Sequence, residues 1–279
     1  MEDLKNILAR HGFSFKKKFG QNFLTDPNLL SAIVHDAGVD ENTTVLEIGA
    51  GAGALTRELS RAAEKVVAYE IDSSLQPVLA ETLAGCENTE VVFGDILRAD
   101  LPALEAELGR YRVVANLPYY VTTPVVMRFL EEAHGCDGLT VMVQEEVADR
   151  FCAQPGTAEY GAVTAAIAFK GAARVTRKVP RTMFMPRPNV DSAVVRIDFE
   201  QGRIPVTSEA AYRAVVRCAF SSRRKTLENN LMSAFHLPRE RAKAALVRAG
   251  ISDMARGETL SPHMLARLAD VLLEEGIIQ

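Results

Sequence analysis

No run of about 18 consecutive apolar residues occurs in this sequence, and residues 1–10 alternate charged and apolar positions without the apolar core of a signal peptide. Neither a membrane span nor a secretory leader is expected, and the cytoplasm is the expected compartment. Cysteine is scarce: Cys86, Cys136, Cys152 and Cys218 lie far apart, with no CxxC pair and no histidine at ligand spacing. Neither a disulfide framework nor a metal site is expected from them. The five histidines are scattered, which leaves no Ser-His-Asp pattern. Internal repeats and low-complexity segments are missing as well.

What is present is the material of a soluble globular protein. At 279 residues the chain is long enough for one large domain and a smaller one. Short runs rich in β-branched residues at 44–48, 65–70, 90–93, 112–116 and 139–144 alternate with helical patterns at 52–62, 73–83 and 124–133. Alternation of this kind implies βαβ units, hence a doubly wound α/β domain with a parallel sheet. Residues 175–179 and 193–198 add two strands joined by a proline-rich stretch instead of a helix, which predicts an antiparallel edge. Near Gly202 and Pro205 the pattern breaks, and helices follow at 208–220, 226–235, 239–249 and 262–275. The expected organisation is an α/β domain over 1–202 and a small all-α domain over 203–279.

The net charge of -4 conceals an uneven distribution. Residues 45–109 carry 4 Lys+Arg against 12 Asp+Glu, whereas residues 203–279 carry 12 against 8. Between Lys170 and Arg196, seven basic residues are opposed only by Asp191. Basic charge gathered outside the first half suits a polyanionic partner, with a solvated face as the alternative.

Residues 45–53, VLEIGAGAG, read as a strand running into a glycine loop that opens a helix. Glycine there removes the Cβ atoms that would keep a nucleotide from the backbone. About 20 residues on, the next strand ends in Glu70, a carboxylate able to accept from both ribose hydroxyls. Gly49, Gly51 and Ala54 also satisfy the GxGxxA dinucleotide variant. Against that reading, Glu47 places negative charge where a pyrophosphate would be repelled and a sulfonium tolerated. Gly94-Asp95 follows the third strand, where a carboxylate can accept from an adenine amino group. S-adenosylmethionine is therefore favoured over NAD.

After the fourth strand comes Asn116-Leu117-Pro118-Tyr119. The N6 amine of adenine is a poor nucleophile because its lone pair is delocalised into the ring. The Asn116 oxygen and a backbone carbonyl at Leu117 or Pro118 can accept both N6 hydrogens and return that lone pair to nitrogen. Pro118 stiffens the turn, and Tyr119 offers a ring for stacking. A base must leave its stack to reach such a pocket.

These segments, with the run KKKFGQNFL at 16–24 and FMPRPNVDS at 184–192, resemble the small-subunit ribosomal RNA adenine N6-dimethyltransferase family. The matches run from residue 16 to Leu231, through FSSRRKTL at 220–227 and Asn229-Asn230. Ala50 stands where many relatives have proline and Tyr120 where some have asparagine, and neither change removes a polar contact. The resemblance implies a Rossmann-like class I methyltransferase fold. It implies cofactor contacts at Asn22, Leu24, Gly49, Glu70, Asp95 and Asn116, with a target adenine between Tyr119 and Phe184. It also implies that S-adenosylmethionine, leaving as S-adenosylhomocysteine, dimethylates two adjacent adenosines near the 3′ end of small-subunit ribosomal RNA. That RNA is expected within a partly assembled 30S subunit, with a monomeric enzyme, no membrane and no metal. Lys16, Lys17, Lys18, Arg223, Arg224 and Lys225 are then expected phosphate contacts. The alternatives are a large-subunit ribosomal RNA adenine methyltransferase of the macrolide-resistance type and a ribosome-assembly factor without turnover.

Overall fold

A computed structural model of the chain describes residues 4–16, 20–199 and 203–278. Lys17, Lys18, Phe19 and Gly202 lie outside the described residues. The chain divides into two compact units, one of Met1–Ala148 with Arg174–Phe199, the other of Asp149–Ala173 with Glu200–Gln279.

The first unit opens with α1 (Leu4–Arg10), the short strand β1 (Phe23–Leu24) and α2 (Pro27–Ala37). Asp26 caps α2 by accepting from the Leu29 amide, and Gly38 ends it at φ 66. Five βα steps follow: β2 (Thr44–Ile48), α3 (Ala54–Ala62), β3 (Lys65–Glu70), α4 (Gln76–Thr82), β4 (Thr89–Phe93), α5 (Leu101–Leu108), β5 (Tyr111–Asn116), α6 (Tyr119–Glu132), β6 (Cys136–Gln144) and α7 (Glu145–Phe151). α8 (Ala162–Lys170) precedes β7 (Gly171–Val179), the two-residue β8 (Phe184–Met185) and β9 (Ser192–Phe199).

Among the described residues the main sheet has seven strands in the order β4-β3-β2-β5-β6-β9-β7. β4, β3, β2, β5 and β6 are mutually parallel, and β9 runs antiparallel to β6, which is the antiparallel edge the proline-rich connection predicts. Central strands are buried on both faces, as in β2, where Val45, Leu46, Glu47 and Ile48 are all buried. The strand order reverses between β2 and β5, and the loops leaving their carboxyl ends meet there, where doubly wound sheets bind ligands. β1 and β8 pair antiparallel, Leu24 against Phe184.

The second unit holds α8 with α9 (Glu209–Ala219), α10 (Leu227–Phe235), α11 (Arg239–Arg248) and α12 (Pro262–Glu274). Ser208, Thr226 and Ser261 cap α9, α10 and α12 through their side chains. Residues 149–173, expected with the α/β domain, pack instead with these helices. α8 is apolar on nearly every side, its Phe169 ring stacks on Tyr212 at 4.6 Å, and Tyr212 Oη donates to the Ala165 carbonyl at 3.0 Å. A helix so uniformly apolar needs cover all round, and α9 and α12 provide part of it. No described helix is long and apolar enough to cross a membrane.

Candidate active site

The loop between β2 and α3 takes positive φ at Gly49 (85), Gly51 (55) and Gly53 (82), a conformation that favours glycine. Gly49 also governs how closely the two switch-point loops meet. A Cβ there would lie 3.2 Å from Leu117 Cδ2 and 3.3 Å from the Asn116 carbonyl oxygen.

Glu70, the last residue of β3, is buried at 6% exposure with each oxygen already engaged once. Oε2 accepts from the Gly51 amide at 2.8 Å and Oε1 from the Asp72 amide at 2.8 Å. The carboxylate is thereby locked to the glycine loop, and each oxygen keeps accepting capacity for a neighbouring hydroxyl. Burial raises its pKa, and the two amides work against that rise.

Asp72 anchors the segment that follows α1. Lys16 Nζ donates to Asp72 Oδ1 at 2.7 Å and to Ser74 Oγ at 2.6 Å, and Gln21 Nε2 donates to Asp72 Oδ2 at 3.1 Å. Burial acts to raise the Asp72 pKa, but the bonds from Lys16, Ser74 and Gln21 outweigh it and hold the group below the usual carboxylate value. Lys16, expected on phosphate, is therefore spent on an internal ion pair. Phe23 and Leu24 are buried beyond this latch, and the Phe23 ring lies 3.0 Å from where a Cβ on Gly51 would sit.

Asp95 caps the short 3-10 turn Ile96–Arg98, its Oδ1 accepting from the Leu97 amide at 3.0 Å. Asn116 closes β5, and its Nδ2 donates to the Asn22 carbonyl at 3.4 Å. With the nitrogen so occupied, the amide oxygen is the atom left for an incoming donor. The Pro118 carbonyl accepts from the Val121 amide (3.1 Å) and Thr122 Oγ1 (3.2 Å) at the start of α6. The Leu117 carbonyl accepts no hydrogen bond from the described residues, so of the two carbonyls the tetrapeptide offered, Leu117 is the available one. Tyr119, half-buried, places its hydroxyl 2.9 Å from Ser192 Oγ.

All ten of the expected site residues line one cleft at the switch point: Asn22, Leu24, Gly49, Glu70, Asp95, Asn116, Leu117, Pro118, Tyr119 and Phe184. The space between its walls, open mouth included, is about 1080 Å³, ample for a nucleoside cofactor and a base. Two exposed side chains that sequence reasoning did not single out for the site, Ile71 (53%) and Tyr120 (66%), stand at it as well. Their signal was position alone, one after Glu70 and one after the tetrapeptide.

Three expectations are corrected. Glu47 does not line the cleft; its carboxyl is fully buried with neither oxygen hydrogen-bonded among the described residues. Burial pushes its pKa up to about 8, with the Thr56 hydroxyl opposing and Glu70 adding to the rise. At neutral pH the group is mostly protonated, so it does not supply the negative charge inferred from sequence. The basic run from Lys170 to Arg196 is largely paired within the fold. Arg174 and Arg196 bind Asp198, Arg177 binds Asp36, Lys178 binds Glu145, and Arg181 holds the Asn189 carbonyl. In the second unit Arg223, Arg224 and Lys225 are all exposed, and Arg223 also donates to the Ala158 and Tyr160 carbonyls at 2.8 and 2.7 Å, which ties it to its own unit.

The ribosomal RNA adenine dimethylase family model matches residues 12–273. The chain is 49% identical to the ribosomal RNA small subunit methyltransferase A of Geobacillus thermodenitrificans, over 96% of this chain and 94% of that protein. Among solved structures it resembles the 23S ribosomal RNA methyltransferase ErmE at 32% identity and TM-score 0.67, covering 90% of this chain and 99% of that one. It shares its fold with a dimethyladenosine transferase from Plasmodium falciparum at 24% identity and TM-score 0.77, covering 91% and 98%. With a family model spanning nearly the whole sequence and a relative at this identity over most of both chains, the chain belongs to the ribosomal RNA adenine dimethylase family.

Proposed function

We propose that the protein transfers methyl groups from S-adenosylmethionine to the N6 amines of two adjacent adenosines near the 3′ end of small-subunit ribosomal RNA, two to each. The observation that carries this reading is the pair of unengaged acceptors at the switch point, the Asn116 side-chain oxygen and the Leu117 carbonyl. Two acceptors on consecutive residues lining one cleft match an amine with two hydrogens.

The cleft fits the cofactor. The paired oxygens of buried Glu70 suit adjacent ribose hydroxyls, the glycine loop admits close backbone approach, and Asp95 suits an exocyclic amine. Asn22, Leu24, Gly49 and Asn116 would complete the binding surface. When bound, the cofactor supplies an electrophilic methyl carbon on a sulfonium sulfur.

The chain's own part is orientation. Asn116 Oδ1 and the Leu117 carbonyl hold the two N6 hydrogens and draw the nitrogen lone pair out of conjugation. Tyr119 and Phe184 hold the ring. Alignment of this kind supplies roughly 7–11 kcal/mol in well-oriented reactions. The surplus proton on the methylated N6 passes to solvent, so no side-chain base is required. Rotation of the monomethylated amine returns its remaining hydrogen to one acceptor for the second transfer.

The small subunit is favoured over the large because identity is 49% to the small-subunit relative and 32% to the 23S enzyme. We take the substrate to be RNA in a partly assembled subunit and the acting form to be a cytoplasmic monomer. Incubation with isotopically labelled cofactor and undermethylated small subunits, followed by nucleoside analysis, should yield N6,N6-dimethyladenosine. Label in large-subunit RNA, or none in adenosine, would contradict the proposal.

A further inference from the structure

The two aromatic residues of the base slot are held by adjacent residues at one strand start. Ser192, the first residue of β9, is 1% exposed, and its Oγ meets the Tyr119 hydroxyl at 2.9 Å. Asp191, immediately before it, accepts from the Arg181 amide through Oδ1 at 2.8 Å. That amide opens the 3-10 turn Arg181–Met183, which runs directly into Phe184. The dipeptide is itself fixed to the end of β6. Ser192 stands opposite Gln144 in the ladder, and the Asp191 carbonyl accepts from the Glu145 amide at 3.2 Å.

We propose that Asp191 and Ser192 are positioning residues that set the two walls of the adenine slot, Ser192 acting through the Tyr119 hydroxyl and Asp191 through the turn that carries Phe184. The assignment rests on the adenine reading given above. A flat base presenting an amine to two fixed acceptors and a methyl carbon tolerates little tilt. A phenol ring free to rotate about its side-chain bonds does not define that tilt, whereas one tied at its far end to a buried serine does. The side chain of Asp191 is exposed, so its placement owes nothing to filling a core; its acceptor is what the turn uses. One rigid strand start thus fixes both walls relative to β6.

The test is steady-state methylation of small-subunit RNA by the full chain, with cofactor affinity measured separately. Ser192→Ala should lower kcat about tenfold or more, in keeping with the cost of small misplacements, with cofactor Kd unchanged. Tyr119→Phe, which deletes the same hydrogen bond from the other side, should show a similar loss, and adding Ser192→Ala to it should cost nothing further. Asp191→Ala should lower kcat, and Asp191→Asn, which keeps an oxygen acceptor, should restore most of it. Wild-type kcat in Ser192→Ala, an undiminished Ser192→Ala penalty in the Tyr119→Phe background, or equal loss in Asp191→Asn and Asp191→Ala would overturn the assignment. Failure of the adenine reading looks different: the unmutated chain itself would leave adenosine unmethylated, and the assignment would fall with it.

Discussion

At Asn116 the chemistry depends on which atom of one amide faces the cleft. Its nitrogen donates to the Asn22 carbonyl, which leaves the oxygen for the amine that the proposed reaction places there. Asn116→Ala is expected to lower methyl transfer by about 100-fold or more, the cost of deleting one preorganised polar partner at a reacting centre, while cofactor binding stays measurable by calorimetry. Near-normal turnover would remove the proposed activation. Glu70→Ala should weaken cofactor binding by about 1.5–3 kcal/mol, the worth of hydrogen bonds to a charged acceptor; an unchanged dissociation constant would point to another ribose partner. Glu47 carries a pH signature. Its pKa in the folded chain is about 8, above the ordinary 4.5, so the folded chain binds this proton more tightly than the unfolded one. The stability it contributes is complete below about pH 4.5 and is lost as pH rises toward 8, at up to about 1.4 kcal/mol per unit. Glu47→Gln lacks this titration. Thermal unfolding should therefore show the variant gaining on the wild type between pH 6 and pH 8, and parallel pH profiles would contradict the assignment.

Elements were legible where local chemistry and tertiary demand agree. β2 and β3 occupy the spans their β-branched runs predict, and Ser208, Thr226 and Ser261 cap the helices they precede. The start of α6 was not legible, because Pro124 resembles a first helical residue, yet the helix begins at Tyr119 with Pro124 inside it. Nor was the placement of residues 149–173, since an all-apolar helix does not state which unit will cover it. In the cleft, the glycine loop, Glu70 and the tetrapeptide were readable as types at fixed spacing. The Lys16–Asp72 latch, the Ser192–Tyr119 contact and the protonated state of Glu47 were not, because each depends on partners distant in sequence or on burial. Asn230 is buried and donates to the Ala219 and Ser222 carbonyls at 3.1 and 3.3 Å, tying α10 to the end of α9. Asn230→Ala should cost about 1–3 kcal/mol by leaving those carbonyls unpaired, read as a lowered urea midpoint; an unshifted midpoint would show the tie to be dispensable.

Across the whole molecule, net charge says little about RNA binding, and the distribution of unpaired cations says more. Much of the basic run before β9 is neutralised by Asp36, Glu145 and Asp198, whereas Arg224 and Lys225 stand exposed just before α10. Reversing Arg224 and Lys225 to Glu should weaken RNA association more at low salt than at high, as measured by filter binding, while Arg223 is left in place because it holds two carbonyls of its own unit. Equal affinity at both salts would mark the pair as plain surface. We propose that the two units divide the labour on ribosomal RNA, one presenting acceptors and the other contributing charge. That division depends on the base reaching the β2–β5 switch point. A crystal structure of the protein with S-adenosylhomocysteine and an adenosine-containing RNA tests it most directly: N6 is expected within about 3 Å of both Asn116 Oδ1 and the Leu117 carbonyl oxygen, and an N6 turned away from that pair, with the ring outside Tyr119 and Phe184, would contradict the account.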